Sequence, residues 1–95
     1  MNQITAEKLE KYISITEKAL EGIKIKVTDK QNYKKGQEVF DMASRYLSDA
    51  RHYKAKGDFV TAFAAVNYAH GWLDAGARLN LFEVDKEVKE LFTID

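Results

Sequence analysis

Apolar residues recur every three or four positions along most of the chain, with charged residues between them. This spacing is typical of helices that pack one face against neighbouring helices. Thr16 fills a gap in the first stripe, and Thr5 precedes that stripe as a candidate N-cap. The pattern predicts a first helix over residues 5–27 and a second over residues 33–56. The first apolar stripe consists of Leu9, Ile13, Leu20, Ile23 and Val27.

A glycine followed by an aspartate interrupts this pattern after the second helix. Gly57 suits a left-handed residue just past a helix end, and Asp58 suits the N-cap of the next helix. So short a connection predicts that the second and third helices run antiparallel. We expect the third helix over residues 59–79, with Asn80 as its left-handed C′ residue.

The last fifteen or so residues again carry apolar positions at helical spacing, which predicts a short helix over residues 85–92 with Asp85 as its cap. No segment is predicted to form a strand. The predicted fold is therefore all-α: an up-and-down antiparallel three-helix bundle with a short C-terminal helix or tail. Without an internal linker or repeat, residues 1–95 are expected to form a single domain.

The third helix differs from an ordinary outer bundle helix because apolar residues surround most of it. It carries two charged residues, Asp74 and Arg78. A helix of this kind needs cover on most sides. We expect that cover from the C-terminal segment together with a second copy of the chain or another protein partner. The helix is also rich in small residues: Ala62, Ala64, Ala65, Ala69, Gly71, Ala75, Gly76 and Ala77.

Two glycines inside one helix need a physical reason, because each costs roughly 1 kcal/mol relative to alanine. One explanation is room for a large side chain inside the bundle, such as Trp72, Phe40 or Tyr46. The other is a site shaped around a ligand. The sequence leaves both open.

Four polar residues share one side of the third helix, within an arc of roughly 80°. Antiparallel pairing about Gly57 places Arg45 level with His70 and Asp41 level with Asp74, so these residues cluster if the polar strips of the two helices face the same way. The candidate binding residues also include Arg45 and Trp72. One interpretation is a solvated strip with an i,i+4 salt bridge. The other is a polar recognition strip for a small ligand or RNA. The strip consists of Asn67, His70, Asp74 and Arg78.

Composition excludes several classes of function. Fifteen basic and fifteen acidic residues give a formal net charge of zero, which argues against a dedicated nucleic-acid or membrane-surface binder. Cysteine is absent, so disulfides and thiolate sites are excluded. No apolar run has the length of a membrane span or a signal peptide, so we expect a cytoplasmic protein.

Candidate chemistry is sparse. His70 and Asp74 are too few ligands for a metal, and we predict neither a metal nor a cofactor. No phosphate loop or nucleophile–base motif is present, so no catalytic residues are expected. The spacing of Arg45 and His52 loosely resembles the arginine–histidine pair of the helical HEPN ribonucleases, which would imply RNA cleavage. Tyr46 stands where that family usually carries a polar residue.

Two runs, Tyr46 to Tyr53 and Gly57 to Leu79, resemble the small archaeal proteins of the domain of unknown function 357. The resemblance covers nearly the whole chain, and the stretch from Gly57 to Phe82 is its most specific part. The resemblance implies an archaeal origin, a helical bundle and no established activity. His70 stands where an aromatic residue is expected, and Asn80 where glycine is expected. The family-like positions are Asp49, Gly57, Asp58, Ala62, Asn67, Tyr68, Ala69, Gly71, Trp72, Asp74 and Ala75.

Three hypotheses follow. The first is a non-enzymatic interaction or oligomerisation module that uses the third helix. The second is a ligand- or RNA-binding domain that uses the polar strip with Arg45 and Trp72. The third is a HEPN-like ribonuclease.

Overall fold

A computed structural model describes residues 3–92 and is dominated by three long helices. The helices are α1 (Ala6–Glu21), α2 (Lys30–Ala55) and α3 (Phe59–Arg78). Two short strands, β1 (Ile23–Ile25) and β2 (Phe82–Val84), and a 3-10 helix (Lys86–Leu91) complete the chain. The outermost residues of the predicted 1–95 domain, 1–2 and 93–95, lie outside the described residues.

Each long helix begins at a polar side chain that accepts a hydrogen bond from the first turn. Thr5 accepts from the backbone N–H of Lys8 at 3.0 Å, and Asp58 accepts from that of Thr61 at 3.1 Å. These two caps confirm the predictions. Asp29 caps α2 in the same way, so this helix begins at Lys30, earlier than the predicted residue 33.

The three helices form the predicted up-and-down bundle. Gly57, with a φ of 81°, takes the left-handed conformation that lets α3 turn back along α2. Glu10, near the start of α1, pairs with Arg51 and Lys54 near the end of α2, so these two helices are also antiparallel. Consequently α1 and α3 run parallel, both antiparallel to α2.

The prediction of a chain without strands is wrong, and so is the extension of the first helix to residue 27. α1 ends at Glu21 with Gly22 as its C-cap, and the next residues pair antiparallel with β2. Ile23 lies opposite Val84, and Ile25 lies opposite Phe82. Apolar residues of both strands turn inward, whereas Lys24 and Glu83 face each other outside. From Ile23 to Val27 apolar residues alternate with lysines, which is the period of two typical of a strand. Ile23 and Val27 also fit the helical spacing of the first apolar stripe, so the strand signal was overlooked.

The C-terminal segment closes the lower end of the bundle, as expected. It forms a 3-10 helix in place of the predicted α-helix, and the side chain of Asp85 makes no capping hydrogen bond, so that cap is wrong. Phe82 at the start of β2 and Phe92 just after the 3-10 helix are 3% and 5% exposed. The tail therefore supplies part of the cover that α3 needs.

The core divides into two clusters along the bundle. The upper cluster lies where the beginning of α1 meets the end of α2, and includes Leu9, Ile13 and Val66. The lower cluster gathers Leu73 of α3 with Phe82 and Phe92 of the tail. Thr16 is the buried polar residue between them, at 3% exposure.

An ion-pair network joins α1 to α2 and predicts a dependence of stability on acid. Hydrogen bonds donated by Lys54, and then by Ser14, lower the pKa of Glu10 from 4.5 to about 2. Because the pKa of Glu10 is lower in the folded chain than in the unfolded one, the ionised side chain stabilises the fold fully above pH 4.5. This contribution is lost as the pH falls toward about 2 and Glu10 becomes protonated. The Glu10 side chain is 39% exposed, so solvent screening limits the effect to roughly 1 kcal/mol or less.

We therefore expect Glu10→Gln to flatten the loss of stability in this acid range. Urea unfolding of the variant and the wild type, at several pH values across the range, measures it. Glu38→Gln, at an exposed carboxylate of α2, is the matched control and should keep the wild-type acid dependence. Equal acid dependence in Glu10→Gln and the wild type would contradict the account.

Candidate functional site

The predicted site residues lie on three different surfaces. Asn67, His70 and Asp74 line a groove between α1, α3 and the 3-10 helix, with a cavity volume of about 470 Å³. We call it the α1–α3 groove. Its lining residues are Tyr12, Ile15, Thr16, Val66, Asn67, His70, Gly71, Asp74, Glu90 and Leu91.

His70 lies at the centre of the groove's polar contacts. Its Nε2 is 3.7 Å from Asp74 Oδ1, and its Nδ1 is 3.5 Å from Thr16 Oγ1, a long and weak contact. The ring of Phe92 lies beside it, with centroids 6.3 Å apart. The side chains of His70 and Asp74 are 23% and 17% exposed, so the pair is half-buried and not the fully solvated strip of the first interpretation.

Thr16 and Tyr12 are members of this groove that the sequence reasoning missed. Thr16 interrupted the apolar stripe of the first helix, and this interruption was the available signal. Tyr12 packs against Phe63 in a T-shaped arrangement, with ring centroids 5.2 Å apart. Tyr12 as a whole remains 39% exposed. Both residues come from α1, which the sequence did not place beside the polar strip.

The charged side chains that line the α1–α3 groove are carboxylates. Asp74 comes from α3 and Glu90 from the 3-10 helix, and no lysine or arginine is among the described lining residues. His70 contributes an imidazole ring to the groove. The local field therefore favours a positive partner and disfavours an anion such as an RNA phosphate.

Trp72 lies on the other side of α3 and forms a separate surface with aromatic residues. Tyr46 of α2 stacks on Tyr68 of α3, with centroids 5.3 Å apart and ring planes at 27°. These rings and Trp72 line a shallow groove of about 460 Å³, which Asn67 and Gly71 also border. Trp72 and the His70–Asp74 pair thus do not share one site.

Arg45 does not join the polar strip. It pairs with Asp41 one turn away on α2, with Nε 3.0 Å from Oδ2, and its side chain is 73% exposed. Antiparallel pairing predicts which residues of two helices lie at the same level along the helix axes. It does not determine the direction in which each side chain points around its own axis. Arg78 lies exposed near the end of α3 and is not a lining residue of the α1–α3 groove.

His52, the other half of the HEPN-like pair, lies exposed on α2. Its ring contacts Tyr53 edge-on, with centroids 5.2 Å apart. Neither His52 nor Arg45 lines the α1–α3 groove. Seven positions separate the two along one helix, which is about 10 Å of helical rise.

The two glycines inside α3 have different surroundings. A Cβ on Gly76 would lie 2.3 Å from Cε2 of Phe82, so this glycine makes room for a ring inside the bundle. The ring belongs to Phe82, not to the residues named from the sequence. A Cβ on Gly71 would meet no atom within 4 Å, so the bundle itself gives no reason for glycine there.

The part of the chain that the structure describes contains neither a candidate metal site nor a candidate membrane span. Within residues 3–92, no three histidine, aspartate or glutamate side chains come together in a way that could hold a metal ion. None of the helices in this range combines the length and apolar character that crossing a membrane requires.

Comparison with known proteins gives one match. No similar curated protein and no similar solved structure was found. The sequence model of one family, "Protein of unknown function (DUF357)", matches residues 11–82. This range runs from the first turns of α1 through β1, α2 and α3 to the start of β2, and it contains both glycines of α3. The chain therefore belongs to the family of unknown function DUF357.

Proposed function

We propose that this protein is a non-enzymatic interaction module that self-associates through the outer surface of α3. The observation that carries the proposal is Gly71. Glycine in a helix costs roughly 1 kcal/mol relative to alanine, and a cost of this size needs a compensating contact. Since nothing in the bundle lies within 4 Å of a Cβ at this position, the contact has to come from outside.

The exposed positions of α3 on either side of Gly71 support the same proposal because they carry no charge. Along α3, every exposed position from Val60 to Ala75 is uncharged, in a chain whose residues are 32% charged. Val60 and Tyr68 are 72% and 62% exposed. Depletion of charge and enrichment in aromatic residues are typical of the centre of a protein interface. The outer stripe of α3 consists of Val60, Thr61, Ala64, Asn67, Tyr68, Gly71 and Ala75.

A second copy of the chain is the partner that this surface fits best. In a two-fold interface the same stripe lies on both sides, so it must be complementary to itself. The outer stripe meets this need because small residues at Ala64, Gly71 and Ala75 alternate with the large side chain of Tyr68. Crossing two helices at Gly71 lets the backbones approach closely. The net charge of zero means that two copies do not repel each other.

Gly71→Leu should abolish self-association while the bundle stays folded. The added side chain has open space on the monomer but blocks the close approach of a second helix. Sedimentation velocity over a range of chain concentrations, with circular dichroism to verify helix content, measures both effects. Gln37→Leu adds the same side chain at an exposed position of α2, on the opposite side of that helix from Tyr46, and should leave the dimer intact. A wild type that stays monomeric at millimolar concentration would refute the proposal.

A further inference from the structure

We infer that the α1–α3 groove is a binding site for a small organic cation, a protonated amine attached to an apolar body. Asn67 and Gly71 border both this groove and the outer stripe of α3, so the inference concerns the monomer and is tested at a concentration where the chain is monomeric. Its volume of about 470 Å³ falls within the range of small-molecule sites. Such sites combine mostly apolar walls with a few convergent polar groups, and this groove has both.

The apolar part of the groove comes from three elements. Ile15 of α1, Val66 of α3 and Leu91 of the 3-10 helix face the cavity, and the ring of Tyr12 stands at its edge. Burying the apolar body of a ligand against these side chains is favourable in proportion to the apolar area removed from water. The walls thus select a ligand with a hydrocarbon portion and disfavour a bare inorganic cation.

The polar part of the groove selects the charge. The Asp74 side chain is 17% exposed, and at such partly buried sites a charge pair is screened less than at an exposed one. A carboxylate accepts about four hydrogen bonds, so Asp74 can accept from an ammonium group in addition to the partners that it has in the folded protein. Glu90 adds a second negative charge from the facing wall.

Neighbouring groups favour an ammonium group over a neutral one. Tyr12 lines the groove and is partly exposed, so its ring quadrupole is within reach of a cation bound there, and T-shaped packing against Phe63 holds the ring in place. Asn67 at the rim brings an amide oxygen, a further acceptor for N–H donors. Together with Asp74 and Glu90, these groups supply hydrogen-bond acceptors and negative charge, which favour a ligand that carries positive charge.

The inference can be tested with three probes of similar shape and different charge. These are phenethylamine, 2-phenylethanol and phenylacetate, titrated at equal ionic strength into the wild-type protein and followed through backbone amide shifts in NMR spectra. We expect the amine to shift the amides of Thr16, His70 and Asp74 and to bind roughly tenfold more tightly than the alcohol. Phenylacetate should leave those amides unchanged. Equal binding of amine and alcohol, binding of the anion, or no binding of any probe would overturn the inference.

Variants then show whether the carboxylates cause the selectivity. Asp74→Asn keeps the side-chain shape and should bring the amine's affinity down to that of the alcohol. Asp41→Asn, which removes a carboxylate from the exposed pair with Arg45, should preserve the wild-type ratio. Glu90→Gln, on the exposed surface of the 3-10 helix, should reduce the ratio in part and serves if Asp74→Asn fails to fold. An unchanged ratio in the folded groove variants would overturn the inference.

Discussion

Leu73→Ala is expected to reduce the free energy of unfolding by on the order of 2–5 kcal/mol. Leu73 is 0% exposed and lies in the lower core cluster, where α3 meets Phe82 and Phe92 of the tail. Truncation removes buried methyl groups and leaves a cavity, because the surrounding helices relax only in part. Urea unfolding followed by circular dichroism measures the loss.

Leu79→Ala is the matched control for this substitution. Leu79 is the C-cap residue directly after α3 and is 68% exposed. Removal of its side chain should therefore change the free energy of unfolding by about 0.5 kcal/mol or less. A loss at Leu79 equal to that at Leu73 would contradict the assignment of the two faces of α3.

Gly76→Ala and Gly71→Ala are expected to change stability in opposite directions. At Gly76 a Cβ would lie 2.3 Å from Cε2 of Phe82, whose ring is 3% exposed and has little room to move. Overpacking of this kind typically costs about 1–3 kcal/mol. At Gly71 the Cβ meets nothing within 4 Å, so the better helix propensity of alanine should raise stability by up to about 1 kcal/mol.

Thermal and urea unfolding of both glycine variants, at a concentration where the chain is monomeric, checks the opposite signs. In a Phe82→Leu background the clash with the ring is removed, so Gly76→Ala should become much less costly. The account fails if Gly76→Ala and Gly71→Ala both stabilise the protein, or if the Phe82→Leu background makes no difference.

The helices and their junctions were predictable because their signals are local. The cap at Asp58, the left-handed residue Gly57 and the left-handed Asn80, with a φ of 61°, each depend on the chemistry of neighbouring residues. The antiparallel order of the helices follows from the same short connections. These predictions required no knowledge of distant contacts.

The strands were missed because their pairing is not local. β1 is three residues long and finds its partner β2 beyond two long helices, so nothing near Ile23 signals the pairing. The helical spacing of Leu20, Ile23 and Val27 competed with the alternation of Ile23 and Ile25. Gly22, where α1 stops, was the local clue.

The candidate site was predicted only in part, and for a geometric reason. Helical spacing placed Asn67, His70 and Asp74 on one side of α3, and all three line the α1–α3 groove, because residues on one helix have fixed relative angles. It did not determine which way Arg45 points, since the rotation of α2 about its axis depends on packing. Helical spacing within α3 also could not identify Tyr12 and Thr16 of α1 as groove residues, because the rotation of α1 about its axis likewise depends on packing.

A single introduced cysteine tests self-association through α3 most directly, because the chain contains no cysteine of its own. Ala75→Cys lies one turn from Gly71 in the outer stripe, replaces a residue that already carries a Cβ, and leaves Gly71 free for the close crossing. The crossing should bring the two copies of this position near the distance of a disulfide, which requires Cα atoms about 4.4–6.8 Å apart. Under mild oxidation we predict rapid conversion of Ala75→Cys to a covalent dimer, whereas Gln37→Cys stays largely monomeric. Equal crosslinking of the two variants, or an Ala75→Cys chain that remains monomeric, would contradict the account.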